Sequence, residues 1–171
     1  CRWRVTAPLV SVGMPLYRSM RYFDVITRNI EAIDYPHVEI ILSDRHGLDD
    51  TLEKISARFP GDKRLRFIAA TDRIGWVENY NVLLKEAFGD YFFWVSHDDL
   101  YPAGFIAELV SCLEAEPDVL IAYPRCVRVD QDEQPFCPQP EPELLLGPAE
   151  QWSPRVALRQ LIFRQSLPFQ G

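Results

Sequence analysis

The chain has little of what marks several large classes of protein. Its 18 lysines and arginines are outnumbered by 25 acidic residues, which gives a formal charge of −7. This charge argues against nucleic acid, or an anionic membrane surface, as the main partner. No apolar run approaches the ~20 residues of a membrane-spanning helix, and no signal peptide is visible. We therefore expect a globular domain without an integral membrane segment.

Cysteine and glycine are also scarce. The four cysteines lack the spacing of zinc ligands and are too few for a disulfide scaffold; they are Cys1, Cys112, Cys126 and Cys137. Cys112 falls on the apolar face of a predicted helix, which predicts a reduced core thiol. We therefore expect a cytoplasmic protein, either free or peripheral to the inner face of the membrane. Gly75 and Gly89 do not form a glycine loop of the Rossmann or P-loop type.

The composition is that of an ordinary soluble domain. Apolar residues make up 47% of the chain and charged residues 25%, and 171 residues are enough to bury a core. The chain begins at Cys1 rather than at methionine, and it stops at Gly171 without a closing element. We expect it to be a portion of a longer protein.

Strand and helix patterns alternate to about residue 125, which is typical of a mostly parallel α/β sheet with helices on both faces. The predicted strands are Leu9 to Met14, Val38 to Ser43, Leu65 to Ala69, Tyr91 to Val95 and Val119 to Tyr123. Helices are predicted at Met20 to Ile33, from about Asp49, after Gly75 and from Pro102 to about Glu114. Apolar residues at helical spacing predict two buried faces: Val77, Tyr80, Leu84 and Ala87 on the third helix, and Phe105, Leu109 and Cys112 or Leu113 on the fourth.

Two adjacent carboxylates, Asp98 and Asp99, directly follow an apolar strand. Like charges side by side repel each other, and a divalent cation such as Mg²⁺ or Mn²⁺ would relieve the repulsion. Open α/β sheets bind ligands outside the carboxyl ends of their strands, which is where this pair is predicted to lie. The alternative is that one aspartate caps the next helix.

Several motifs occur in order between about Pro8 and Gly171. They are Val10-Ser11-Val12-Gly13-Met14-Pro15-Leu16-Tyr17, Tyr35-Pro36-His37-Val38-Glu39-Ile40-Ile41-Leu42-Ser43-Asp44, then Asp49 and Thr51, then Gly75 and Asn81 before Ala87-Phe88-Gly89, and the Asp98-Asp99 pair. This order resembles the family 2 glycosyltransferases with the GT-A fold. The resemblance implies a Rossmann-like, mostly parallel sheet that binds the nucleotide of a sugar donor.

The resemblance implies a nucleotide-binding role for five residues: Pro15, Tyr17, Asp44, Arg73 and Asp98. Tyr17 would flank a uracil ring, and Asp44 would accept a hydrogen bond from the pyrimidine N3–H. Arg73 could reach the diphosphate or the base with its planar fork of donors. The alternatives are an exposed loop tyrosine, a capping aspartate and a solvated arginine.

For the metal, the resemblance implies that Asp99 binds Mn²⁺ or Mg²⁺ directly and that Asp98 lies near the ribose or the ion. The acidic chain would need such a cation to hold a phosphate-bearing ligand. Two departures weaken the match: Ser96 stands where many family members carry an acid, and Gly47 stands where they usually have serine.

The implied reaction is transfer of a sugar from a UDP-sugar to a hydroxyl of a glycan or other acceptor, with inversion. The family's catalytic base lies in a later motif, so we expect it beyond Gly171 and assign no catalytic residue. We predict a donor-binding half at 1–130, a proline-rich connection at 131–148, and the start of an acceptor-side half at 149–171. The alternatives are a nucleotide-sugar-binding module without turnover and, more remotely, a nucleotidyltransferase.

Four further side chains invite a functional interpretation. His97 could bind metal or carry protons, but no second histidine is spaced to help it, which favours a neutral histidine in a turn. Trp76 and Trp94 are expected in the core. Trp152 is a better candidate for stacking on a sugar.

Overall fold

The computed structural model describes residues 7–44, 49–69, 75–116, 118–124, 127–130 and 132–135. Within these residues strands and helices alternate along the chain. The strands are β1 (Val10–Leu16), β2 (Val38–Asp44), β3 (Leu65–Ala69) and β4 (Tyr91–Trp94). The helices are α1 (Phe23–Ala32), α2 (Thr51–Arg58), α3 (Trp76–Lys85) and α4 (Phe105–Ala115), and a short 3-10 helix, Ser19–Tyr22, precedes α1.

The described strands form one parallel sheet in the order β3-β2-β1-β4. The predicted α/β class is therefore confirmed. Successive strands first extend the sheet from β1 towards β3, and the chain then returns to place β4 on the other side of β1. Such a reversal of strand order opens a crevice at the carboxyl ends of the two strands concerned. Here those strands are β1 and β4.

The core is centred on β1 and β2, which are buried at every residue. Apolar residues predominate in both strands, which suits strands that are covered on both faces. Helix α1 adds apolar side chains to this core: Ile26 and Ile30 are fully buried, and Ile33, directly after the helix, is 1% exposed. The apolar pattern thus predicted the centre of the fold correctly.

The predicted buried face of α3 is wrong. Val77 and Leu84 are 52% and 47% exposed, whereas the buried residues of the helix are Asn79 and Leu83. The reason is a polar contact, because Asn79 hydrogen-bonds Ser43 at the end of β2 and so turns its own face of the helix inward. A pattern of apolar residues alone cannot register such a contact.

The prediction for α4 is also partly wrong. Its buried residues are Phe105, Ile106 and Val110, and Cys112 is an exposed free thiol rather than a core residue. The helix begins at Phe105 and not at Pro102 because Gly104 has a φ of +80°, which is outside the helical region. The start of the helix therefore lies three residues further along than the proline suggests.

The fifth predicted strand, Val119 to Tyr123, is not a strand in the structure. Leu120 is 70% exposed and Ile121 is 46% exposed. A short apolar run indicates a preference for burial, but strand formation also requires a hydrogen-bonding neighbour. The chain divides after Glu114 into two compact units, and the predicted three-part division stays a prediction. Most of the proline-rich connection, and all of the predicted acceptor-side start at 149–171, lie outside the described residues.

A buried polar network joins the amino ends of the strands. Glu39 accepts hydrogen bonds from Ser11 Oγ at 2.6 Å, from the Phe88 backbone N–H at 2.7 Å and from Arg66 at 2.7 Å. Burial opposes ionisation of Glu39, but these hydrogen bonds outweigh it and lower its pKa. A Cβ on Gly89 would lie 2.5 Å from the Ser11 nitrogen, so only glycine fits against this network. We call Ser11, Glu39 and Arg66 the amino-end network.

Across the described residues, none of the helices has both the length and the apolar character needed to cross a membrane.

Candidate functional site

A cleft of about 540 Å³ opens at the carboxyl ends of β1 and β4, where the strand order reverses. Its volume lies within the usual range of small-molecule sites. Three segments contribute its lining: the end of β1, the first turns of α3 and the loop after β4. The lining residues are Pro15, Leu16, Tyr17, Gly75, Trp76, Asn79, Tyr80 and His97.

The end of β1 presents Tyr17 to the cleft with 49% of its surface exposed. Its backbone N–H donates to Ser19 Oγ at 2.8 Å, which fixes the turn out of the strand. The next residue, Arg18, has a left-handed backbone conformation (φ 47°), and its guanidinium carbon lies 5.5 Å from the centre of the Tyr17 ring. The turn therefore holds an aromatic ring at the mouth of the cleft.

Asp44 ends β2 and lies opposite Leu16, a cleft-lining residue, in the strand register. It is only 3% exposed. Asp44 does not cap α2, which begins at Thr51; there the Thr51 backbone N–H donates to Asp49 Oδ1 at 3.1 Å. Burial opposes ionisation of Asp49, but hydrogen bonds from Thr51 and Met20 lower its pKa. Asp44 is thus a buried acid at the ligand-binding edge of the sheet.

Asn79 links the first turns of α3 to this edge. Its Oδ1 accepts from Ser43 Oγ at 2.7 Å, and its Nδ2 donates to the Ser43 carbonyl at 3.2 Å. The sequence motif pointed to Asn81 instead, which is exposed. The sequence offered one signal for Asn79, because it lies four residues before Leu83 and therefore on the same face of the helix.

The loop after β4, Ser96 to Tyr101, is called the acidic turn. Asn29 of α1 holds it by two hydrogen bonds: its Nδ2 donates to the Asp99 carbonyl at 2.8 Å, and its Oδ1 accepts from the Tyr101 backbone N–H at 3.2 Å. Asn29 is 1% exposed. Sequence reasoning missed Asn29 because its partners lie 70 and 72 residues away.

The carboxylate of Asp99 is in an unfavourable electrostatic environment. Partial burial and the charge of Asp98 raise the pKa of Asp99, against the opposing effect of His97. Burial, and then the charges of Asp98 and Asp99, raise the pKa of Tyr80 on the cleft wall. The acidic pair and the cleft are therefore close enough to share one electrostatic field.

The acidic pair does not cap the following helix. Helix α4 begins at Phe105, and the Gly104 N–H before it donates to Asp34 at 3.1 Å. Ser96 Oγ instead donates to the Asp98 carboxylate within the turn.

A family model, glycosyl transferase family 2, matches residues 11–165 of this sequence. The chain belongs to this family. The resemblance recognised from the motifs is thereby confirmed. The family match covers nearly the whole sequence and includes both the cleft and the acidic turn.

Curated relatives agree with the family 2 assignment. An uncharacterized glycosyltransferase of Rickettsia typhi is 34% identical over 107 residues, which cover 63% of this chain and 32% of that protein. Glycosyltransferase GlyG of Streptococcus pneumoniae is 29% identical over 114 residues, covering 66% of this chain and 38% of that protein. The chain thus spans about a third of the length of these relatives.

Solved structures support the same fold. The mannosyltransferase PcManGT from Pyrobaculum calidifontis, in complex with GDP-Man and Mn²⁺, is similar with a TM-score of 0.59 and 28% identity, covering 67% of this chain and 34% of that chain. S. aureus TarS 1-349 in complex with UDP-GlcNAc has a TM-score of 0.55 and 22% identity, covering 63% and 31%. These likenesses confirm the Rossmann-like GT-A fold.

The two carboxylates of the acidic turn fit a divalent ion whose remaining coordination positions are filled by a bound substrate. Among the residues that the structure describes, no group of three or more His, Cys, Asp or Glu is placed to hold a metal alone. Mg²⁺-type sites, however, commonly use one or two carboxylates together with substrate phosphates. Asp98 and Asp99 supply such a pair beside the cleft.

His97 contacts the segments on either side of the first turn of the fold. Its ring centre lies 4.9 Å from that of Tyr22, and its Nδ1 lies 3.4 Å from the Pro15 carbonyl oxygen. The side chain therefore links the acidic turn to the end of β1, as expected for a histidine in a strand-end turn.

The two tryptophans expected in the core are not buried. Trp76 is 74% exposed and lines the cleft, and Trp94 is 42% exposed. Both tryptophan rings lie next to the Tyr80 ring. The ring centres of Trp76 and Trp94 are 6.1 Å and 6.2 Å from the ring centre of Tyr80. The prediction for Trp76 failed because α3 turns Asn79 rather than its aromatic residues towards the sheet. Trp94 ends β4, which lies at the edge of the described sheet.

The structure thus brings Pro15 and Tyr17 to the cleft, Asp44 to the adjoining strand end, and Asp98 and Asp99 to the acidic turn. Arg73 and Trp152 lie outside the described residues. The roles assigned to all of these side chains stay predictions.

Proposed function

We propose that this chain is the donor-binding part of a metal-dependent, inverting glycosyltransferase that uses a UDP-sugar. One observation carries the proposal: a cleft with an aromatic mouth and a buried acid at its edge opens beside a pair of adjacent carboxylates. A nucleotide sugar has the same order of groups, a planar base, a diphosphate and a sugar. Glycosyl transfer is also the activity named for the relatives of this chain.

The base would be recognised at the ends of β1 and β2. Tyr17 offers a partly exposed ring for stacking, and Asp44 offers a carboxylate that can accept the N3–H of uracil. Cytosine has no N3–H and would not donate to it. Guanine, in contrast, carries an N1–H that a carboxylate can also accept. Because PcManGT is described with GDP-Man and TarS with UDP-GlcNAc, UDP and GDP must be tested side by side.

The diphosphate would lie beside the acidic turn. Asp99 and Asp98 would hold Mn²⁺ or Mg²⁺, and the bound ion supplies Lewis-acid stabilisation of the charge on the leaving diphosphate. The raised pKa of Asp99 indicates that, without a cation, it is unfavourable for both carboxylates to be ionised at once. The acidic pair would also repel a diphosphate, so nucleotide and metal are expected to bind together.

The acceptor hydroxyl would attack the anomeric carbon from the face opposite the leaving UDP, which inverts the configuration. That step needs a general base within hydrogen-bond reach of the acceptor. We expect this base beyond Gly171, in the acceptor-side half that begins near residue 149. We place the reaction in glycan assembly in the cytoplasm or at the inner face of the membrane.

The test is a set of thermal melts with UDP, GDP, Mn²⁺, and each nucleotide together with Mn²⁺. A ligand at about 100 times its dissociation constant adds about 2.7 kcal/mol of stability, or about 5–10 °C for a domain of this size. We expect this shift with UDP and Mn²⁺ together, and its loss in Asp99→Ala. Asp24→Ala, at an exposed aspartate on α1, is the matched control and should keep the shift.

Three outcomes would change the proposal. A larger shift with GDP than with UDP would replace the uridine donor by a guanosine donor. No shift with either nucleotide, in a folded protein, would remove the donor site altogether. Binding without transfer to any acceptor in the longer protein would favour the alternative of a nucleotide-sugar-binding module.

A further inference from the structure

We propose that Trp76 is a stacking surface for the nucleobase, in the same cleft as Tyr17, so that the base binds between two aromatic side chains. This inference rests on the proposed function and adds a binding residue to it. The family resemblance assigned no role to Trp76, and the sequence predicted it to be a core residue.

The position of Trp76 distinguishes it from an ordinary exposed aromatic residue. It is the first residue of α3, it lines the cleft together with Pro15 and Tyr17, and 74% of its surface is exposed. Single apolar residues on a surface need no explanation. A tryptophan inside a ligand-sized cleft does, because its large ring offers contact area at a small cost in side-chain entropy.

The indole is supported from the helix on which it lies. The Tyr80 ring lies one turn further along α3. Its centre is 6.1 Å from the centre of the Trp76 ring, and the two ring planes meet at 89°. Asn79 fixes this part of the helix to the end of β2 through its two hydrogen bonds to Ser43. A platform held in this way loses little freedom when a ligand stacks on it, and this favours binding.

The same contacts indicate which part of a nucleotide would meet the indole. Asn79 is bonded to the residue that immediately precedes Asp44, so the first turn of α3 lies on the β2 side of the cleft. Tyr80, in contrast, lies within the field of Asp98 and Asp99, where a diphosphate would bind. By this proposal the indole meets the planar base, whose N–H edge would face Asp44, and not the sugar, which would follow the diphosphate.

Intrinsic tryptophan fluorescence tests this directly, because a base stacked on the indole quenches its emission. The wild-type protein is titrated with UDP in the presence of Mn²⁺, and the titration is repeated on Trp76→Leu, Trp76→Phe and Trp94→Leu. Trp94 is the matched control, as it is exposed and contacts Tyr80 but is not among the residues that line the cleft.

We expect Trp76→Leu to weaken UDP binding roughly 5- to 150-fold, the usual effect of removing one base–aromatic stack, and to remove the quench. Trp76→Phe should recover most of the affinity, because it restores a ring. Trp94→Leu should keep both the affinity and the quench. Thermal melts without ligand show whether each variant is folded.

Three results would overturn the inference. The first is an unchanged affinity for UDP in folded Trp76→Leu. The second is a loss confined to UDP-sugars, with UDP and UMP unaffected, because the indole would then contact the sugar. The third is the absence of any nucleotide binding by the wild-type protein, which would also remove the proposed function. The first two leave the proposed function intact.

Discussion

Both ends of the sheet carry acidic side chains, but the surroundings shift the pKa of the acid in opposite directions at the two ends. At the amino end, Glu39 accepts hydrogen bonds from Ser11, Phe88 and Arg66, and its pKa is lowered despite burial. At the carboxyl end, partial burial and the charge of Asp98 raise the pKa of Asp99. The difference separates an acid that stabilises the fold from an acid whose ionised form the fold disfavours.

This contrast has a physical basis in what surrounds each carboxylate. A carboxylate that receives several donors is best accommodated when ionised, and removing it leaves those donors unsatisfied. A carboxylate beside another carboxylate is stabilised by whatever brings positive charge, which can be a proton or a metal ion. Matched substitutions of glutamate and aspartate by their amides can therefore test the comparison directly.

The largest effect is expected from Asp99→Asn. Loss of one carboxylate should weaken the joint binding of Mn²⁺ and UDP at least 100-fold, about 2.7 kcal/mol, because the remaining acid holds the ion alone. Without ligand the variant should be as stable as the wild type or more stable by up to ~1 kcal/mol, since the repulsion from Asp98 is removed. Titration calorimetry and melts without ligand measure the two quantities. Strong destabilisation of the unliganded variant would contradict the assignment.

Glu39→Gln should show the opposite pattern. We expect a loss of ~1–3 kcal/mol in the free energy of unfolding. Arg66 loses the nearer of two carboxylate partners, Glu39 and Glu86, and the buried donors to Glu39 lose an ionised acceptor. Denaturant unfolding measures the loss. Nucleotide affinity should be unchanged, since the amino-end network lies at the other end of the strands. A large drop in UDP affinity with unchanged stability would reverse the comparison.

Asn29→Ala tests whether the position of the acidic turn matters as well as its charge. The variant removes the hydrogen bonds that Asn29 makes to the Asp99 carbonyl and the Tyr101 N–H. We therefore expect a loss of about 1–2 kcal/mol of stability and, in the presence of UDP, a roughly tenfold higher Mn²⁺ concentration at the binding midpoint. Amide hydrogen exchange at Tyr101 should become faster. Thr27→Ala is the control, because its hydroxyl bonds only the Asp24 carbonyl in its own helix. An equal loss of Mn²⁺ affinity in the control would show that general destabilisation is the cause.

The smallest effects concern pH. The lowered pKa of Glu39 means that its contribution to stability is complete above the unfolded-state value of about 4.5 and is lost as the pH falls through the folded-state pKa. The raised pKa of Asp99 acts in the other direction, since its contribution is present at low pH and is lost as the pH rises through the folded-state pKa. Thermal melts between pH 3 and pH 7, roughly the window set by these shifts, measure both effects. The stability of Glu39→Gln should approach that of the wild type at low pH. The stability of Asp99→Asn relative to the wild type should increase as the pH rises.

The centre of the fold could be predicted because its signals are local. The apolar runs of β1 and β2 and the stripe of Ile26 and Ile30 indicate burial without knowledge of any partner. Predictions failed where a single contact decides the outcome. Asn79 turns α3 through its bonds to Ser43, and the positive φ of Gly104 delays the start of α4.

The candidate site follows the same division. Tyr17, Asp44 and the acidic pair were predictable, because each directly follows or ends an apolar strand and parallel strands share one carboxyl edge. Asn29 and Trp76 were not. The partners of Asn29 are distant in sequence, and the exposure of Trp76 depends on how α3 is rotated.

The position of β1 between β2 and β4 has a consequence for synthesis of the chain. Val10 pairs with Val38 on one side and with Tyr91 on the other. Strand β1 is synthesised before both of its neighbours and therefore keeps one edge open until β4 has been made, which takes about 2–11 s after β2 at 5–20 residues per second. An open apolar edge is a template for wrong pairing. Nascent chains that pause within this interval should be the ones most dependent on chaperones.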